Sequence, residues 1–158
     1  MGKPSRDKGA KGEREFIHAL EILTHLPTGS LRRRLAQYQS GGCDIEVVKH
    51  QCPENARLLQ QLENFALEIK RHASASPGDI RQWWLQACQQ AQQCGRHPVL
   101  AFRADRGNWQ CLIPVSRKLP VEDVRGCLRM DLVLFAEFLK DDEGCLPGIT
   151  KVQSCTVN

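Results

Sequence analysis

Glu68 and Lys70 stand one residue apart in the stretch Phe65-Ala-Leu-Glu-Ile-Lys-Arg71. A carboxylate beside an ammonium suits a site that binds a divalent cation through hard oxygen and handles a water molecule next to it. That chemistry needs both side chains on one side of the backbone. On a strand, positions i and i+2 share a face, so the pair projects together while Phe65, Leu67 and Ile69 turn to the core. On a helix of 3.6 residues per turn the two would lie about 200° apart and could not share a site. The helical alternative has support, because Leu58, Leu59, Leu62, Phe65 and Ile69 carry a helical spacing through the motif. The alternation from Phe65 to Lys70, and the turn-forming run Ala73-Ser-Ala-Ser-Pro-Gly-Asp79 after it, favour the strand.

Two more acids stand where elements begin. Gly12 to about Leu26 reads as a helix with an apolar stripe of Phe16, Ile17, Ala19, Leu20 and Leu23, and Glu13 lies near its N-terminus. By itself Glu13 is an ordinary first-turn acid, welcome at the positive end of the helix dipole. Asp44 directly follows the turn Gln39-Ser40-Gly41-Gly42 and opens a strand over Cys43–Val48, whose Cys43, Ile45 and Val47 alternate with Asp44, Glu46 and Val48.

The remaining pattern supplies the frame. Leu31–Tyr38 is a candidate strand carrying Arg32, Arg33 and Arg34. Pro53–Glu63 reads as a short helix inserted between strands, since the connection is longer than a hairpin loop allows. Ile80 to Cys94 reads as a helix capped by Asp79 and stopped by Gly95, packing through Trp83, Trp84, Ala87, Cys88 and Ala91. Pro98–Arg103 and Asn108–Pro114 form a hairpin around residues 104–107. Pro120–Cys127 is irregular or a turn of helix, and Met130–Leu139 is the last helix.

Composition bounds the answer. The 158 residues are enough for one domain with a sizeable core, and 25% charged with 41% hydrophobic residues is the balance of an ordinary globular chain. No apolar run approaches the ~20 residues that span a bilayer, and the first residues lack the apolar centre of a secretory signal, so a cytoplasmic protein is expected. The net charge of +4 is local: residues 1–34 hold eight Lys/Arg against four Asp/Glu, while the other 124 hold fourteen of each. Such a basic excess can meet a phosphate backbone or can simply be solvated. The eight cysteines include no Cys-x-x-Cys pair and no zinc-finger spacing. They read as reduced, mostly small buried hydrophobes.

Glu13, Asp44, Glu68 and Lys70 thus fall on an α-β-β-β-α-β-β order. With Lys8-Gly9-Ala10-Lys11-Gly12-Glu13-Arg14-Glu15-Phe16, Ser40-Gly41-Gly42-Cys43-Asp44-Ile45, Leu67-Glu68-Ile69-Lys70, Trp84-Leu-Gln86-Ala87 and Pro98-Val-Leu-Ala-Phe followed by Trp109, the chain resembles the PD-(D/E)xK nuclease superfamily. Within it the resemblance, over about residues 8–116, is to archaeal-type Holliday junction resolvases and their phage-borne relatives. Two features depart from the pattern: Cys43 rather than proline precedes Asp44, and the 23 residues between Asp44 and Glu68 exceed the usual spacing.

The resemblance implies an α/β, restriction-endonuclease-like fold with a central mixed sheet flanked by helices. Residues 1–10 are then a flexible basic leader, 11–140 the nuclease domain and 141–158 a tail. It implies Mg²⁺, with Mn²⁺ able to substitute, held by Asp44, Glu68, the Ile69 carbonyl and Glu13, with Lys70 acting on a water and Gln86 positioning. It implies DNA, branched DNA above all, contacted through Lys11, Arg14, Arg32, Arg33, Arg34, Ser40 and Arg71. It also implies a homodimer, for which Trp109, Leu112, Phe135 and Phe138 offer apolar material. The alternatives are a general phage or restriction-type nuclease, a non-catalytic DNA-binding protein of the same fold, and a helical interaction protein with Glu68 and Lys70 as surface charges.

Overall fold

The computed structural model of the chain describes residues 3–34, 43–48, 53–115 and 124–141. Helix α1 spans Lys3–Thr24, and strands β1 (Leu31–Arg33) and β2 (Ile45–Val47) form an antiparallel pair in which Arg32 faces Glu46. A 3₁₀ turn, Pro53–Asn55, leads into α2 (Ala56–Glu63). Then come β3 (Phe65–His72), α3 (Pro77–Cys94), β4 (His97–Ala104), β5 (Gln110–Pro114), a 3₁₀ turn Val124–Gly126, β6 (Cys127–Asp131) and α4 (Leu132–Lys140). The main sheet runs β3-β4-β5-β6, with β3 and β4 parallel and the other two pairs antiparallel. This is the mixed sheet flanked by helices that the sequence led us to expect.

Helices cover both faces of the sheet. On one face, Phe16, Ile17 and Leu20 of α1 and Phe135 and Leu139 of α4 pack with Leu67, Ile69, Val99, Ala101, Cys111 and Ile113. On the other, Ile80, Trp83, Trp84 and Ala87 of α3 pack with Leu100, Phe102 and Leu112. The stretch 65–72 is therefore a strand, not a continuation of α2. Two-sided cover also corrects the expectation that one face of β3 turns away from the core: Ala66, Leu67, Glu68 and Ile69 are all buried, as in a parallel strand flanked by helices.

Several boundaries differ from the sequence reading. α1 begins at Lys3, so residues 3–10 continue the helix rather than preceding it. Lys, Arg and Ala favour helix, and Gly9 and Gly12 cost too little to break it. The cap of α3 is Ser76, whose hydroxyl accepts from Asp79 N–H, while the Asp79 carboxylate accepts from Ser76 N–H in a reciprocal capping box. Asp79 is thus the third residue of the helix and not the cap. Gly95 ends α3 at φ 63°, a left-handed conformation that suits glycine. The stretch read as irregular or a turn of helix holds the 3₁₀ turn Val124–Gly126, while β6 (Cys127–Asp131) takes the start of the helix expected from Met130, so that α4 starts at Leu132 with Asp131 as its cap. Trp109, Leu112 and Phe135 are buried in the core and Phe138 packs against it, so these residues complete the fold rather than offer an interface. No helix among the described residues is long and apolar enough to cross a membrane.

Candidate active site

The site is assembled on the free side of β3, the edge not paired with β4. Asp44 precedes β2, and its N–H donates to the Leu67 carbonyl at 2.9 Å. Its carboxylate Oδ2 accepts from the Ile69 N–H at 2.6 Å. These two bonds fix a 95%-buried acid against the strand that carries Glu68 and Lys70. A residue's N–H and C=O leave a strand on the same edge, so the Ile69 carbonyl also lies on the Asp44 side.

Glu68 is 2% exposed. Its Oε1 accepts from Lys70 Nζ at 2.5 Å, whereas its Oε2 is buried with no hydrogen-bond partner among the described residues. A buried, half-satisfied carboxylate is costly in a fold, and a cation would supply what its second oxygen lacks. Glu13 comes to the same place from α1. Its Oε2 accepts from Arg33 Nε of β1, and burial, with the nearby charge of Asp44 adding to it, raises its carboxyl above the ordinary range against the pull of Arg33 and Lys70. That mutual influence places Glu13, Asp44 and Lys70 in one electrostatic neighbourhood.

Among the described residues no three Asp, Glu, His or Cys side chains close around a point as a ready-made cage. Mg²⁺ does not demand one: it takes one or two carboxylates, keeps waters and shares the substrate's phosphate oxygens. The donor set of Glu68 Oε2, the Asp44 carboxylate and the Ile69 carbonyl fits such an open site, with Glu13 beside it.

The other sequence candidates divide. Lys11, Arg14 and Arg32 are exposed, Arg33 is taken up with Glu13, and Arg34 is half-buried with its N–H donating to the Asp44 carbonyl. Gln86 lies on the exposed side of α3 and, among the described residues, makes no hydrogen bond to the acids or Lys70. Ser40 lies outside the described residues. Arg71, expected at the DNA, is instead engaged within the fold: its Nη1 donates to Glu15 Oε1 at 3.0 Å. Glu15 and Arg103 were not singled out from the sequence, and no local signal could have found them, since Glu15 and Arg103 are 88 residues apart.

A family described as "Phage putative PDDEXK endonuclease" matches residues 4–125. The chain belongs to this family of phage endonucleases. The matched span includes Glu13, Asp44, Glu68 and Lys70, and the fold is the restriction-endonuclease-like one. A solved structure, the Holliday junction resolvase Hjc of Archaeoglobus fulgidus, aligns over 77% of this chain and 85% of its own at 17% identity, with a TM-score of 0.38. No curated protein matches the sequence.

Proposed function

We propose that this family member is a Mg²⁺-dependent DNA endonuclease that hydrolyses phosphodiester bonds, with branched DNA and four-way junctions as preferred substrates. The observation that carries the cleavage chemistry is Glu68: a buried carboxylate with one oxygen on Lys70 and the other without a partner among the described residues, on the strand to which Asp44 is pinned. The branched-DNA preference rests on the sequence resemblance from Lys8 to Phe16 and onward.

Glu68, Asp44 and the Ile69 carbonyl would hold the ion, with Glu13 directly or through water. When bound, Mg²⁺ lowers the pKa of a water and offsets charge at the scissile phosphate. Lys70, kept close by Glu68, orients that water and stabilises charge on the phosphorane-like transition state. Arg33 holds Glu13 in place. Exposed Lys11, Arg14 and Arg32 give the backbone of the duplex cations to meet.

A junction needs nicks in two strands related by an approximate two-fold axis, which a symmetric dimer provides. With the aromatic residues in the core, the apolar surface that remains for it includes Leu128 on β6 and Val133 and Leu134 on α4, which are 37%, 54% and 59% exposed. Light scattering should give about twice the 17.8 kDa chain mass. The substrate test incubates the protein and Mg²⁺ with four-way junction, flap, replication-fork and linear duplex DNA in parallel. Paired nicks in the junction ahead of the other substrates are expected. Faster cutting of linear duplex would leave a nuclease but remove the junction preference, and no cutting of any substrate would remove the enzymatic reading.

A further inference from the structure

Glu13 reaches the site through the placement of α1, with Arg33 on its carboxylate, and the apolar contact beneath α1 does not by itself fix that placement. Phe16, Ile17 and Leu20 rest on Leu67, Ile69, Val99 and Trp109, and hydrophobic contact is non-directional. A helix held by it alone can slide or roll by an ångström at little cost, and Glu13 would move with it.

We propose that Glu15, Arg71 and Arg103 form a clamp that fixes the depth and rotation at which α1 presents Glu13, which makes them positioning residues for the cleavage site. The proposal rests on the nuclease reading above. Glu15 accepts from Arg71 Nη1 through Oε1 at 3.0 Å and from Arg103 Nη2 through Oε2 at 2.6 Å. Arg71 and Arg103 are register partners on β3 and β4. Each oxygen of one carboxylate is therefore tied to a different strand, which opposes rotation of the helix as well as translation.

One turn earlier, Gly12 lies on the stem of Arg71: a Cβ at Gly12 would stand 2.7 Å from the Arg71 Cβ. The helix backbone thus presses on the aliphatic part of Arg71 while Glu15 takes its guanidinium. Arg71 directly follows Lys70, so α1 is keyed to the strand at the residue next to the reactive lysine. Glu13 and Glu15 project about 200° apart around the helix, so one can grip the sheet while the other reaches the site.

The charges are paired, although the Nε atoms of Arg71 and Arg103 are buried without a hydrogen-bond partner among the described residues. Arg71 Nε also lies 3.6 Å from Asp105 Oδ1, so two acids face two guanidiniums, and Glu15, Arg71 and Arg103 are only 32%, 18% and 22% exposed. Arg103 further covers the Trp109 ring at 5.1 Å, and Trp109 meets Phe16 of α1 edge-on with 5.1 Å between ring centres. Both arginines are charge-paired and part-buried, and Arg103 is also stacked on Trp109, so they are built into the fold in the manner of a support and not as free cations for a phosphate.

The test compares the full-length wild type with Glu15→Gln, Arg103→Lys and the double variant. It reads kcat and KM on the best-cut DNA with Mg²⁺, and Mn²⁺ affinity by electron paramagnetic resonance without DNA. Misplacing a reacting group by about 1 Å costs about 10²-fold in rate, and loss of a support to a metal ligand costs about 10- to 100-fold in metal affinity. Each single variant should therefore lose about 10²-fold in kcat with little change in KM, and bind Mn²⁺ about tenfold more weakly. The double variant should lose little more than either single one, as members of one unit do. Wild-type kcat and Mn²⁺ affinity in both single variants would overturn the clamp. So would a rise in KM at unchanged kcat, which would make the arginines DNA contacts, and so would unfolding of both, which would make them scaffold alone. If the wild type cut none of the DNAs but bound Mn²⁺, the nuclease reading would fall and the Mn²⁺ arm would still decide the clamp. A wild type that also bound no Mn²⁺ would take both down.

Discussion

The two sides of β3 carry opposite designs. Toward α1, Leu67 and Ile69 are packed among large apolar side chains, and Arg71 is matched by Glu15 and Asp105. Toward α3, the same strand carries Ala66, a small residue packed with Cys43 and Ala91, then Glu68 with an oxygen that has no hydrogen-bond partner among the described residues, then Lys70. On the first side the Arg71 charge is matched although its Nε makes no hydrogen bond among the described residues, and on the other a carboxylate oxygen lacks a partner in the middle of a core. Proteins keep such an oxygen where a ligand answers it. β3 therefore joins the packed core to the proposed cleavage site, and substitutions on the two sides should fail in different ways.

The largest effect is expected at Lys70. Lys70→Ala removes the cation from a carboxylate that is 98% buried, and breaking one side of a buried pair costs about 3 kcal/mol. It also removes charge stabilisation worth about 10²-fold in rate, so denaturant unfolding and cleavage should both suffer. Leu67→Ala, on the other side, should cost about 3 kcal/mol of stability through cavity formation. Below its melting transition it should keep most of its cleavage rate. Equal loss of rate in the two variants would dissolve the distinction between the sides.

A smaller effect follows from Glu13. Its carboxyl is raised above 4.5, by burial first. A raised value means that the fold favours the protonated form, so the stability contributed by Glu13 is complete below the ordinary value and lost as pH rises through the raised one. Metal-free wild type should lose stability relative to Glu13→Gln across that window, as read by thermal unfolding at a series of pH values. Parallel curves would show that Glu13 is solvated and remote from Asp44. The smallest effect is at the start of α3, away from the chemistry. Ser76→Ala should cost about 1 kcal/mol, the usual worth of an N-cap, with cleavage unchanged.

Much of this was legible in the chain because the signals were local. Alternation from Phe65 to Lys70, the apolar face of α3 from Ile80 onward and its stop at Gly95 each lie within a few residues. The acids at positions 13, 44 and 68 were readable as a set only through the ordered motif that carries them. What was not legible depended on distant partners or on weak strand chemistry. β6 reads Cys-Leu-Arg-Met-Asp, with no β-branched residue and no turn before the helix that follows, and pairing with β5 decides it. The burial of Glu68 depends on α3 closing over the second side of β3, which no i, i+2 pattern reveals. Glu15 looks like any helical acid until Arg71 and Arg103 arrive from two different strands.

The account turns on Glu68 and Asp44 as the acids of a metal-dependent cutting site, and the most direct measurement is cleavage by Asp44→Asn and Glu68→Gln. Each would be assayed with Mg²⁺ beside the wild type on the substrate the wild type cuts best, with binding to the same DNA followed in parallel. Both variants keep the shape of the side chain and remove the charge, so the account predicts folded proteins that bind DNA as well as the wild type or better and do not cut it. Cleavage by both at near the wild-type rate would contradict it.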